Sequence, residues 1–452
     1  MTDAKHDNLF GLSEDAKRNL LAKMKQGQNG FQARERVDSV NVPDKYLQFE
    51  ELPGYKQLRI QHAVANQTGI LNPFFACHDG IAKDVTSIDG VSYLNFSTYD
   101  YLDLNGHPEI IAAAGEAMRR YGTSASASRL VSGERPPHRA LEKALAQLYN
   151  VDACLTFVSG HATNVSTISQ LFGRKDIIFQ DSLAHNSIVQ GATASGAYRI
   201  CFPHNDLDAL ERLLHEHRGQ YQRALIVTEG LFSMDGHIAD LPGLIALKKR
   251  HKCFLMVDDA HGFGVLGKTG CGVAEHFGIN PQNVDIWMGT LSKTLCGCGG
   301  FIAGSKSLIE LLKFTASGFV YSVGMSPPLA AASKTALEIM LREPWRVEKL
   351  QSISRFFLSY AKDKQLNTGD ADGYAIVPIK LGSSLVAGLL ATALFELKVN
   401  VLPIIYPVVE EGSARLRFFL SAAHGEECVR QALDAVAEEL PKALDRAEAI
   451  VR

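Results

Sequence analysis

The chain is 452 residues long, enough for about three average domains or fewer if one is a large α/β core, and its 46 Lys and Arg against 49 Asp and Glu leave a formal charge of −3. With 46% hydrophobic and 21% charged residues it has the composition of an ordinary folded, soluble chain, without the basic excess that binding a phosphate backbone demands. Nucleic acid is therefore not an expected partner, no apolar run approaches the roughly 18 residues of a membrane span, the polar start MTDAKHDN has no signal-peptide character, and a cytoplasmic location is expected.

Residues 1–60 are polar and read as an N-terminal helical appendage. One helix is expected over 13–25, with Ser13 as cap and Glu14 and Asp15 favouring the first turn. Residues 61–341 are expected to form a large domain that includes an N-terminal arm. From about Val91 short apolar runs alternate with helical patterns: ACLTFV (153–158), DIIFQ (176–180), ALIVT (224–228), CFLMV (253–257), DIWMG (285–289) and FIAG (301–304). Helices are expected between them over 137–149, 206–217 and 242–250. Strands alternating with helix-length spacers predict a doubly wound, mostly parallel sheet covered on both faces. A smaller C-terminal α+β domain is expected over 342–452, with strands at 374–381, 401–405 and 414–421, a helix at 384–397 and a last helix from about Glu426. Eight scattered cysteines do not suggest a disulfide framework. Cys296 and Cys298 have no second Cys or His pair nearby, so no metal site is expected.

Residues 262–269, GFGVLGKT, satisfy the phosphate-loop pattern G-x-x-x-x-G-K-[ST]. A true phosphate loop follows its strand directly and opens a helix at the Lys-Thr. Here four residues (258–261) intervene after the strand, and Gly270 and Gly272 follow, which disfavours a nucleotide site. Those intervening residues carry more chemistry: Asp258, Asp259 and His261 stand at the C-terminal end of a buried strand, where open α/β sheets form their ligand crevice. A second strand, DIWMG, runs into Thr290, Ser292 and Lys293. Burial opposes a lysine's charge and leaves a nucleophilic amine. An acid at one strand end and a lysine at another can grip pyridoxal 5′-phosphate (PLP), the lysine through a Schiff base and the acid through the pyridine nitrogen. A charge pair about 4 Å apart gains roughly 4 kcal/mol at an effective dielectric near 20, so burial makes such a grip effective. Hydroxyls and N–H groups of Gly160, His161, Thr290 and Ser292 could receive the phosphate.

The ordered set NFSTYDYLDLNGHPE (95–109), SRLVSG (128–133), FVSGHATN (157–164), LAHNS (183–187), TEGLFSMDG (228–236), VDDAHGFGVLGKTG (257–270), GTLSKT (289–294) and ARLRFFLSAAH (414–424) resembles the α-oxoamine synthases, fold type I PLP enzymes, over about residues 60–440. GFGVLGKTG belongs to that family's pattern. The resemblance implies that Lys293 holds PLP and later acts as base, Asp258 pairs with the ring nitrogen, His185 stacks on the ring, and His261 with Ser233 bonds the ring hydroxyl. Ser159, Gly160, His161, Thr290 and Ser292 would surround the phosphate, and Glu229 would complete the cofactor site. Ser322 would reach the neighbouring subunit's phosphate in a homodimer. An arginine would hold the substrate carboxylate; Arg417 matches the family position, although strand alternation puts Arg415 on the same face.

Tyr99, Ser128 and Arg129 are the other expected substrate contacts. Ser128 is similar to members accepting alanine, serine or glycine, and Tyr99 to the serine palmitoyltransferase branch. Ile405 replaces an arginine found in some biotin-pathway members. The implied reaction is a decarboxylative condensation of a small amino acid with an acyl thioester, giving an α-aminoketone. The string SGHATN and the N-terminal appendage resemble members that take the acyl group from a carrier protein instead of coenzyme A. An aminotransferase is the alternative on the same fold.

Overall fold

The computed structural model describes residues 42–452 and, before them, four helical positions, 15, 18, 19 and 22; the expected helix over 13–25 otherwise lies outside the described residues. Two compact units result, Met1–Gln67 and Thr68–Arg452. The first contains two 3-10 turns, Asp44–Leu47 and Phe49–Glu51, and most of a helix, Pro53–Thr68, whose last residue starts the second unit.

In the second unit, β1 (His78–Asp79), β2 (Val85–Ile88) and β3 (Val91–Asn95) precede seven strands of a central sheet: β4 (Ala153–Phe157), β5 (Ile177–Asp181), β6 (Tyr198–Phe202), β7 (Ala224–Glu229), β8 (Phe254–Asp258), β9 (Ile286–Thr290) and β10 (Gly300–Gly304). Then come β11 (Ile376–Gly382), β12 (Val399–Asn400), β13 (Pro403–Ile404) and β14 (Ala414–Phe419). The central order is β4-β10-β9-β8-β7-β5-β6, and only β10 runs antiparallel to its neighbours. β5, β7, β8 and β9 are almost wholly buried. This is why they read as unbroken apolar runs: a parallel strand sandwiched by helices has no solvent face.

Six expected strands fall on β4, β5, β7, β8, β9 and β10 within a residue or two. The expected helices appear as Pro136–Leu148, Leu207–His217 and Leu241–His251, each about one residue from its reading. Asp206 and Asp240 cap the last two, accepting from Ala209 N–H and Gly243 N–H. Toward the C-terminus a separate antiparallel sheet, β11-β14-β13, forms with the helix Ser384–Glu396 and the last helix, Glu426–Val451. The strand expected over 401–405 shrinks to β13, with β12 just before it joining β3 in a different sheet.

The phosphate-loop match folds around a carboxylate. Glu275 accepts from the Thr269 and Cys271 N–H groups and from the Thr269 hydroxyl. A Cβ at Gly267, whose φ is +84°, would overlap that same side chain. The helix that follows the loop, Val273–His276, is a single turn, and Lys268 is exposed. The loop is therefore closed on its own glutamate. Among the described residues no helix is long and apolar enough to cross a membrane.

Candidate active site

Three parallel strands end on expected site residues: β7 on Glu229, β8 on Asp258 and β9 on Thr290. Glu229 and Asp258 are direct register partners, so two carboxylates meet at the crevice. Beyond β4, Ser159 caps the helix Gly160–Leu171, and beyond β5, His185 caps Asn186–Ser195, its Nδ1 accepting from the Ser187 N–H at 3.2 Å. These ends surround a cavity of about 250 Å³ lined by Ser159, Gly160, His161, His185, Glu229, Asp258, His261, Thr290, Ser292 and Lys293, ten of the expected residues. Asn164, Ser187, Ala260 and Met288 complete the lining.

Lys293 is half-buried, and desolvation of its amine pulls it down to about 8 although Asp258 and Glu229 beside it oppose that shift. Among the described residues its Nζ makes no hydrogen bond or ion pair; it lies 5.9 Å from the centre of the Tyr99 ring. A substantial fraction of this amine is thus neutral near pH 8, the form that attacks an aldehyde. Asp258 is held by the Asn164 side-chain amide at 2.7 Å and by the Ala260 N–H at 3.0 Å. The same Asn164 nitrogen reaches the Ser187 hydroxyl at 2.9 Å, and that hydroxyl lies 2.7 Å from His185 Nδ1. One amide thereby couples the position of the acid to that of the imidazole.

Glu229 is fully buried beside Asp258, and burial raises its carboxyl well above the usual range. Its Oε1 has no partner among the described residues. Burial likewise holds His261 well below the ordinary histidine range. Its Nδ1 lies 2.6 Å from the Tyr101 hydroxyl, which burial keeps protonated. When that hydroxyl donates to Nδ1, the neutral ring carries its proton on Nε2.

The two strand arginines have different work. Arg415 forms a buried ion pair with Asp235 at 2.6 Å, and Lys380 joins the same carboxylate at 3.1 Å. Among the described residues Arg417 has no carboxylate partner: its guanidinium touches the Ser233 carbonyl at 3.2 Å and lies over Phe419, and its buried Nε is unpartnered among them. Burial lowers its pKa. Tyr99 stands edge-on to both His261 and Phe419, which brings it into the same neighbourhood.

Three expected residues lie elsewhere. The Arg129 guanidinium is saturated by Glu142 at 2.5 Å, Glu134 at 2.8 Å and the Thr156 hydroxyl at 3.0 Å, which leaves it braced between a helix and β4. The Ser128 hydroxyl is buried without a partner, and neither residue lines the Lys293 cavity. Ser322 lines a separate groove of about 420 Å³. The sequence reading missed Asn164 and Ser187. Asn164 lies one helical turn after Gly160 and so shares its face, a spacing within FVSGHATN that could have pointed to it.

The vacant valences fit the expected cofactor. Asn164 Oδ1 and Glu229 Oε1 line the cavity as buried atoms without partners, a neutralisable amine faces an acid across it, and a twelve-residue helix opens at Gly160, where free N–H groups favour an anion. Gly160 packs closely: a Cβ there would sit 3.1 Å from the Thr290 hydroxyl.

Residues 91–436 match the aminotransferase class I and II family. An 8-amino-7-oxononanoate synthase from Cellvibrio japonicus is 41% identical over 351 residues, covering 78% of this chain and 87% of that protein. The chain belongs to the α-oxoamine synthase family. Its structure also matches a serine palmitoyltransferase from Sphingomonas wittichii, with TM-score 0.82 and 28% identity over 87% of this chain and 98% of that one. A serine palmitoyltransferase from S. paucimobilis solved with bound PLP matches at TM-score 0.81 and 26% identity, over 86% of this chain and 98% of that one. Like the rest of the α-oxoamine synthase family, the chain takes PLP as its cofactor, and the fold is that of a fold type I PLP enzyme.

Proposed function

We infer that this α-oxoamine synthase joins a small amino acid to an acyl thioester, releasing the thiol and carbon dioxide and leaving an α-aminoketone. The observation that carries this reading is the buried Lys293 amine, close enough to Asp258, Glu229 and Arg417 for all three to influence its charge. Bound PLP supplies an electron sink for the charge left when the amino acid loses its α-proton. Asp258 would keep the ring nitrogen protonated, and the Asn164 amide and Ala260 N–H fix its carboxylate for that contact. Ser159, Gly160, Thr290 and Ser292 would hold the phosphate end, and His261, through Nε2–H, the ring oxygen.

Arg417 is the arginine with donors to spare for a substrate carboxylate, because Asp235 has already claimed Arg415. Held there, the amino acid would present its α-proton to Lys293 Nζ, which takes it as general base. Such a base contributes about 10²–10⁴ in rate. The condensation then forms one carbon–carbon bond, breaks the thioester carbon–sulfur bond and sends a proton to the departing thiol.

The acyl carrier is the finer part of the reading. Turnover compared between a carrier-protein thioester and the coenzyme A thioester of the same acyl group assigns it: preference for the carrier protein supports the reading from SGHATN and the N-terminal appendage, and preference for coenzyme A overturns it. A homodimer fits the placement of Ser322, whose groove opens beside exposed Tyr321 and Val323, an apolar surface a second subunit would cover. The eight free cysteines accord with a reducing compartment. The reaction class is tested by amino-acid-dependent thiol release from acyl thioesters. Keto-acid-dependent transamination without thiol release would replace the synthase by an aminotransferase.

A further inference from the structure

The helix Leu207–His217 places Glu211 and His215 one turn apart on one face, and the helix Leu241–His251 ends beside them on His251. Glu211 Oε1 lies 3.9 Å from His215 Nε2 and 3.8 Å from His251 Nε2, and the three ligand atoms all fall within 4.8 Å of one another. These separations are too long for hydrogen bonds. The imidazoles meet edge to face with centroids 4.8 Å apart. His251 supplies an independent observation: its side chain is only 8% exposed, and its buried Nε2 has no hydrogen-bond partner among the described residues. A buried ring nitrogen left unpaired beside a carboxylate and a second imidazole is costly unless something else binds there.

We propose that Glu211, His215 and His251 form a binding site for a borderline divalent transition-metal ion of the zinc type. Two imidazoles and one carboxylate are a standard donor set for zinc, with bond lengths near 2.0–2.2 Å, so tetrahedral ligand atoms stand about 3.4 Å apart. The two Glu211 gaps exceed that by roughly half an ångström, and the His215–His251 gap stays within 4.8 Å. His215, 69% exposed on the helix surface, is free to swing and close them. A fourth position remains for water. Thirty-five residues lie between His215 and His251, so no short Cys/His spacing in the sequence announces them.

The site is remote from the chemistry. His251 precedes β8, whose opposite end carries Asp258, so an ion here would staple two helices at the far side of the sheet. Arg250 competes with it: its guanidinium is ion-paired to Glu211 Oε1. Replacing that arginine should therefore free the carboxylate and tighten metal binding.

The test uses PLP-loaded protein treated with chelator, then titrated with ZnCl₂ by calorimetry and with CoCl₂ by absorbance. The expected result is a strong site for one ion per chain, with cobalt d–d bands and no thiolate charge-transfer band. Loss of an outer partner alone weakens metal sites about 10–100-fold, so His215→Ala and His251→Ala should each weaken binding by more than about tenfold, while Arg250→Gln strengthens it. Because His215 is exposed, His215→Ala should keep its cofactor colour and condensation activity, which separates this proposal from the catalytic reading. No binding, a thiolate band, or a site that survives His215→Ala overturns it.

Discussion

At the scale of single residues, burial shifts the protonation of the site's groups, and their neighbours oppose or reinforce that shift. Lys293 shows this most directly: with its amine near 8 instead of 10.5, proton loss precedes that of an ordinary lysine. Capture of PLP by the cofactor-free protein should accelerate as pH rises and level off just above pH 8; a rate still climbing past pH 10 would mean an unperturbed amine. Arg415 and Arg417 provide a second contrast. Arg417→Ala removes charge-assisted bonds worth about 1.5–3 kcal/mol and should lower kcat/KM for the amino acid by about tenfold to a hundredfold with little change in the unfolding midpoint. Arg415→Ala leaves buried Asp235 to Lys380 alone and should lower stability by about 1.5–3 kcal/mol, read by denaturant unfolding.

At the scale of elements, strand ends and helix starts aim these side chains. Burial makes the inner strands apolar throughout, so β5, β7, β8, β9 and β10 were legible in sequence, as were the mostly buried edge strand β4, Asp258 at a strand end and Lys293 just beyond one. β6, YRICF, was not: it is an edge strand with mostly exposed or half-exposed side chains and has no apolar run. The difference between Arg415 and Arg417 was also invisible, because alternation gives both the same face and only the distant Asp235 separates them. Asn164 escaped notice since a polar helical residue gains meaning only when the strand bearing Asp258 packs against it. Asn164→Ala should loosen Asp258 and weaken PLP retention several-fold, seen as faster loss of cofactor on dialysis. A related packing device sits behind the acid. Cβ atoms at Gly230, Gly262 or Gly272 would overlap the buried Asp259 carboxylate, whose Oδ2 accepts from the Val273 N–H. Gly272, at φ +86°, should tolerate alanine worst, with a loss of about 1–3 kcal/mol or more in denaturant unfolding.

At the scale of the whole molecule, a seven-stranded sheet forms the crevice lined by Lys293 and Asp258 while the C-terminal strand β14 carries Arg417, so in the proposed reaction one region would grip the amino acid while another takes its α-proton. The near-neutral net charge conceals this arrangement, since Asp258, Lys293 and Arg417 sum to only +1 locally and await a cofactor and a substrate. Bond making and bond breaking must then be coupled in fixed proportion. Incubating the PLP-loaded protein with carboxyl-labelled amino acid and an acyl thioester, and counting labelled carbon dioxide against released thiol, tests that coupling most directly. A decarboxylative condensation predicts one carbon dioxide per thiol, both lost in Lys293→Ala; thiol release without carbon dioxide, or turnover that persists in Lys293→Ala, would contradict it.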